Sequence, residues 1–279
     1  MTAINRENRW LRKLIKDKPL DIIISDNRFG LYNKDIRSVF ITHQLRIKTS
    51  LGKLADAIIQ KINYRFINQF DVCWVPDFAG EKNFSGELSH PLVKPRTKVI
   101  YIGLLSRINK QNIAVTNKLL ILLSGPEPQR SILEKKLLAQ LTIYKDSFIL
   151  VRGLPSAIDI IAVPSSAAVY NYLTGRQLQE VINQSEIIIS RSGYSTIMDV
   201  LPTGKKCIFI PTPGQAEQEY LAKYLGEKNY ACTGSQNNLS LLSVIDKAEK
   251  LQTSQIIKTG IDEADKAIAD LKKELDVQQ

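Results

Sequence analysis

"SEIIISRSGYSTIMDVLPTGKKCIFIP", Ser185 to Pro211, holds two apolar runs of strand length, Ile187–Ile189 and Cys207–Ile210. Between them lie a glycine with three hydroxyl residues (Ser192, Gly193, Ser195, Thr196) and a short helical pattern ending near Leu201-Pro202. A continuous β-branched run bounded by turn residues reads as a strand buried on both faces. Strand, helix and strand in succession read as a βαβ unit, which needs a parallel sheet covered by helices.

The alternation extends in both directions. Upstream are strands at "LLILLSG" (119–125), "SFILVRG" (147–153) and "AAVYNYL" (167–173), with helices at "EPQRSILEKKLLAQL" and "RQLQEVINQ". Downstream, "EQEYLAKYLGEKN" reads as another helix. A first block has a helix with Trp10, Leu11, Leu14 and Ile15 on one face, stopped at Lys18-Pro19. Strands follow at "LDIIIS" (20–25), "SVFIT" (38–42), "DVCWVP" (71–76) and "KVIYIG" (98–103), with a helix over 50–69. Charged and amide residues fill 105–117 and set the boundary. The expected fold is α/β, with two Rossmann-like parallel-sheet domains over 1–104 and 105–260. An amphipathic helix follows over 261–279, where Asp262 and Asp265 read as a solvated face.

At 279 residues and 44% hydrophobic, the chain can bury a substantial core. Its N-terminus has no apolar h-region, and no apolar run nears the roughly 18 residues of a membrane span. Three widely spaced cysteines without a CxxC pair disfavour a disulfide framework and a zinc site. Cytoplasmic residence is expected. The net charge is +10, and residues 1–100 carry 18 Lys/Arg against 10 Asp/Glu. Such a basic first domain suits phosphorylated substrates or an anionic membrane surface. No zinc-finger, helix-turn-helix or RNP-type pattern supports a nucleic-acid partner.

In parallel α/β sheets, ligands bind outside the carboxyl ends of the strands, which singles out three loops. Ser124-Gly125-Pro126 leaves a buried strand for a helix, where glycine permits close backbone approach and free N–H groups suit an anion. Ser192, Gly193, Ser195 and Thr196 repeat that arrangement, with Asp199 four residues past Ser195. Gly214-Gln215 opens a helix with Glu217, Gln218 and Glu219, whose amides and carboxylates can bind hydroxyls. Each loop also has a plain reading as a capped strand-to-helix turn. No GxxxxGK[ST], HExxH or GxSxG occurs, and His43 and His90 are the only histidines. No metal or cofactor is implied.

Taken together, "SRSGYSTIMDVLPTGKKCIFIPTPGQAEQEYLAKYL" resembles the signature of the family 28 glycosyltransferase C-terminal domain. That family includes the UDP-N-acetylglucosaminyltransferase of peptidoglycan-precursor synthesis. "SDNRFGLYN", "FITHQL", "CWVPD", "LSHP" and "YIGLLSR" resemble a bacterial branch of the same family. The resemblance implies a GT-B fold, two Rossmann-like domains around a cleft, with a UDP-sugar held mainly by the second. It puts Ser124 and Gly125 near the diphosphate, and Ser192, Gly193, Ser195 and Thr196 at phosphate and sugar. Asp199 matches an acidic position that binds ribose hydroxyls, and is Asp where Glu is usual. Gln218 and Glu219 match a Gln-Gln pair that reads sugar hydroxyls, with Gln215 close by.

The reaction so implied is a metal-independent inverting transfer of a hexosamine-type sugar, with a base near the acceptor hydroxyl. A lipid-linked acceptor fits a basic domain that meets the inner face of the membrane peripherally. One departure matters. The family pattern opens on a strand, a Gly-rich loop and a histidine, and none is found ahead of the first helix. The first domain is therefore expected to be incomplete. His43, at the end of "FIT", becomes the candidate base, and His90 reads as structural. A non-catalytic nucleotide-sugar-binding remnant and a GT-B-type epimerase are the alternatives.

Overall fold

The computed structural model describes residues 2–49, 52–159, 161–252 and 261–276. In chain order its elements begin with α1 (Thr2–Asp17), β1 (Ile22–Asp26), β2 (Arg37–Ile41), α2 (Lys53–Ile67), β3 (Val72–Val75) and β4 (Lys98–Tyr101). Next come β5 (Asn117–Leu122), α3 (Gln129–Leu141), β6 (Phe148–Val151), β7 (Ala167–Tyr170), α4 (Gly175–Asn183) and β8 (Ser185–Ser190). The last are α5 (Tyr194–Val200), β9 (Lys206–Phe209), α6 (Ala216–Glu227), β10 (Cys232–Thr233), α7 (Leu241–Glu249) and α8 (Ile261–Asp276). They form two compact units, Met1–Leu105 with Thr259–Gln279, and Ser106–Lys258.

The first unit is a parallel sheet in the order β1-β2-β3-β4. Alternate residues of each strand point to opposite faces, and both faces are covered. Val39, Val72, Trp74 and Ile102 pack with Ala267 and Leu271 of α8. Phe40, Cys73 and Val75 pack with Leu45, Ile67 and Phe70 on the other side. Asp265 of α8 is exposed, as expected of a solvated face, and the side chain of Asp262 lies outside the described residues.

Helix α1 differs from its expected face. Leu11 is buried, but Trp10 is 57% exposed. The inward stripe runs through Ile4, Glu7, Asn8, Leu11, Leu14 and Ile15, in steps of three and four. Trp10 sits one residue, about 100°, off that stripe. Polar contacts complete the same face, since Asn8 donates to the carbonyls of Gly30 and Tyr32, each at 3.0 Å.

The second unit is a six-stranded parallel sheet in the order β10-β9-β8-β5-β6-β7. Leu119, Ile121, Ile187, Ile189 and Ile208 pack with α3 and α7, while Leu120, Ile188 and Cys207 are buried on the opposite face. Strand β10 and helix α7 correspond to no element read from the sequence. Two residues carry no period, so β10 is invisible there. Leu241, Val244, Ile245 and Ala248 do form a helical stripe that could have revealed α7. Among the described residues no helix is long and apolar enough to cross a membrane.

Candidate nucleotide-sugar site

Chain order decides where a ligand can enter the second sheet. From β5 the chain steps through β6 and β7 on one side, then returns to lay β8, β9 and β10 on the other. Strands β5 and β8 are therefore the switch-point pair, and the loops leaving them diverge to leave a crevice. Those loops carry Ser124-Gly125 and Ser192-Gly193.

A cavity of about 310 Å3 opens there. Ser124, Gly125, Gly153, Thr196 and Asp199 line it, with Leu173, Leu178 and Val200 as apolar wall. Tyr172, 57% exposed, adds an aromatic ring, and Arg107 adds a cation. Gly125 has φ +100°, a left-handed conformation that favours glycine. Gly153 has φ +73°, and a Cβ there would lie 2.4 Å from the Leu123 carbonyl oxygen. Gly193 is different. Its φ of −71° suits any residue, and a Cβ would meet no atom within 4 Å. Neither backbone nor neighbours require glycine at 193.

The other expected site residues divide into exposed groups and groups already engaged. Ser195 is exposed and Thr196 half-buried at the start of α5. Ser192 is buried, and its hydroxyl donates to the Gln218 carbonyl at 2.8 Å, tying the loop after β8 to α6. Gln218 accepts from the Thr212 N–H (2.9 Å) and donates to Gln215 Oε1 (2.6 Å). Glu219 accepts from the Gly214 N–H at 2.9 Å. Gln215, Gln218 and Glu219 thus brace one turn, and Glu219 stays exposed.

Asp199 is 6% exposed. Its Oδ1 accepts from the Arg107 N–H (2.9 Å) and Ser106 Oγ (3.2 Å), and its Oδ2 from Arg107 Nη2 (2.9 Å). Sequence reasoning gave no role to Arg107, which closes the "YIGLLSR" stretch but lies 92 residues from Asp199.

Buried charge supports the cavity floor. Glu134 accepts from Arg152 Nε at 2.6 Å and from Arg130 Nη1 at 3.2 Å. Arg152 also reaches Asp159 and Asn171, and the Glu134 hydrogen bond chiefly raises its pKa. This network anchors the ends of β6 and β7, from which Gly153 and Tyr172 project.

In the first unit, His43 is half-buried on the loop after β2, where Gln44 N–H donates to Thr42 Oγ1 and Asn63 donates to the Gln44 carbonyl. His90 is held at both nitrogens. Nε2 lies 2.9 Å from the Phe78 carbonyl, which can only accept, and Nδ1 lies 2.7 Å from Ser89 Oγ. Its ring stacks on Tyr101 at 4.6 Å. Buried Asp77 gathers the same segment, accepting from the N–H groups of Phe78, Phe84 and Ser85 and from the hydroxyls of Ser85 and Ser89.

Two Rossmann-like units of parallel strands define a GT-B fold. The glycosyltransferase of kitacinnamycin is similar over 98% of this chain and 80% of its own, at TM-score 0.71 and 14% identity. The UDP-GlcNAc 2-epimerase of Methanocaldococcus jannaschii is similar over 97% and 80%, at TM-score 0.62 and 12% identity. Residues 158–275 match the model of the glycosyltransferase family 28 C-terminal domain. A stretch of 66 residues is 41% identical to the UDP-N-acetylglucosamine–N-acetylmuramyl-(pentapeptide) pyrophosphoryl-undecaprenol N-acetylglucosamine transferase of Rickettsia massiliae. That stretch spans 23% of this chain and 18% of the relative.

Proposed function

We propose that the protein is a UDP-sugar-dependent glycosyltransferase whose donor is held by the second unit. The observation that carries this reading is the cavity at the switch point, where Ser124-Gly125 after β5 meets Thr196 and Asp199 of α5 beside Tyr172. The apolar wall and Tyr172 ring suit a nucleobase, and Asp199 suits ribose hydroxyls. The open space beside Gly193 suits a diphosphate approaching the backbone. Ser195 and Thr196 offer hydroxyls to phosphate and sugar, and Gln215, Gln218 and Glu219 border the sugar. Backbone N–H groups fixed before the reaction stabilise the charge that develops on departing UDP.

We assign the chemistry to an inverting, metal-independent transfer of a hexosamine-type sugar, with His43 as general base on the acceptor side. A lipid-linked acceptor is supported by the surface of α2. Leu54, Ile58 and Ile62 are 85%, 62% and 50% exposed at four-residue spacing, with exposed Lys61 and Arg65 beside them. An apolar stripe flanked by cations suits the interface of an anionic bilayer.

Isothermal titration tests the donor reading. UDP and UDP-N-acetylglucosamine should bind with Kd in the micromolar range, and absence of heat with both rejects it. Product analysis separates the chemistries. A transferase releases UDP only with an acceptor, whereas an epimerase converts the donor sugar without one.

A further inference from the structure

Arg191 directly follows β8 and is 1% exposed, among the largest fully buried side chains. Its guanidinium joins loops that are far apart in sequence. Nη1 donates to the carbonyls of Ile210 (3.2 Å) and Pro211 (3.1 Å), after β9. Nη2 donates to the Gln129 carbonyl (2.8 Å), at the start of α3, and to the side-chain oxygen of Gln236, after β10. Gln236 in turn donates to Gln129 Oε1 at 2.7 Å.

All four acceptors are neutral. No carboxylate among the described residues pairs with Arg191, and its Nε is buried without a partner. Arg130 and Arg152, also buried in this unit, each pair with Glu134. Burying a cation without a counter-charge is costly. Desolvation lowers the Arg191 pKa to about 10, which still leaves it protonated at neutral pH. A cross-link between loops needs donors but not a net charge, so its structural duty leaves the charge unexplained.

We propose that Arg191 is a positioning residue whose uncompensated charge serves the donor site. It holds the loops after β5, β8, β9 and β10 together, and the diphosphate of the bound donor supplies the missing counter-charge. This rests on the nucleotide-sugar reading above. Charges separated by protein rather than water attract over longer distances, so direct contact is not required.

The test compares UDP with uridine, which lacks the diphosphate, by isothermal titration on the full chain. Gln236→Glu places a carboxylate against the guanidinium and keeps that hydrogen bond, giving up only the donation to Gln129. UDP affinity should fall about tenfold or more, about 1.4 kcal/mol, with uridine affinity within about twofold and the Tm unchanged or raised. A purely structural Arg191 predicts no change in the UDP-to-uridine preference, and that result overturns the proposal. Arg191→Met and Arg191→Lys form a second pair, which decides the question should the Glu variant not fold. Met should lose the preference, while Lys, titrated at a pH low enough to keep its ammonium charged, keeps the preference despite a lower Tm. Equal behaviour of the two overturns the proposal. Wild-type protein that binds no UDP overturns the donor reading and this inference with it, whereas wild-type binding with an unaltered preference in the variants overturns this inference alone.

Discussion

Gly193→Ala separates a glycine kept for a ligand from one kept for the fold. With φ −71° and ψ 138°, alanine adopts the backbone without strain, and its Cβ meets no protein atom within 4 Å. Two small terms then oppose each other in stability. Restricting the unfolded chain stabilises by about 0.4–1 kcal/mol. Gly193 is also the N-cap of α5, where alanine is poorer than glycine by roughly 0.5–1.5 kcal/mol. The net change should stay within about 1 kcal/mol, a Tm shift of at most about 4 °C. A diphosphate lying against the Gly193 backbone would instead meet the new methyl group directly. UDP affinity should therefore fall at least tenfold, about 1.4 kcal/mol, by isothermal titration. Uridine should bind nearly as before, because the methyl lies away from the nucleobase wall. Unchanged UDP affinity in a well-folded variant would refute the assignment of that space to the donor.

Gly153→Ala should behave in the opposite way. Its Cβ would stand 2.4 Å from a backbone oxygen at φ +73°, so a loss of about 3 kcal/mol or more is expected in urea unfolding, before any effect on ligand. Asp77→Asn removes the carboxylate that accepts three N–H groups and two hydroxyls in the first unit. It should cost about 2–4 kcal/mol and expose the 78–90 amides to hydrogen exchange, and native-like protection there would contradict that role. His43→Ala should lower kcat by roughly 10²–10⁴ with UDP affinity unchanged, and near-wild-type turnover would remove His43 as the base. Replacing Leu54, Ile58 and Ile62 together by Ser should abolish co-sedimentation with anionic vesicles and leave the Tm within a few degrees, since all three are at least half exposed.

The architecture was legible because buried parallel strands write themselves as continuous β-branched runs. "IIIS" before Arg191 and "KCIF" before Ile210 need no partner to be recognised, and the helices between them fix the alternation. The glycine and hydroxyl loops were legible for the same reason, since strand ends mark where ligands can reach. What sequence could not supply was pairing between distant segments. Nothing near Asp199 announces that Ser106 and Arg107 engage it, and nothing near Arg191 announces that it meets Gln129, Ile210, Pro211 and Gln236. Trp10 was misjudged because an apolar residue beside the buried stripe looks like part of it until Asn8 and Glu7 are seen to use that face. Local pattern by itself determined nine of the ten strands, most of the helices, the two-unit organisation and the three candidate loops. Strand order decided the rest. Because β8 returns to pair beside β5, two turns nearly seventy residues apart share one crevice, and a buried guanidinium can hold four loops at once. Those relations depend on which strands are neighbours, and the free energy that selects neighbours comes from packing the whole sheet.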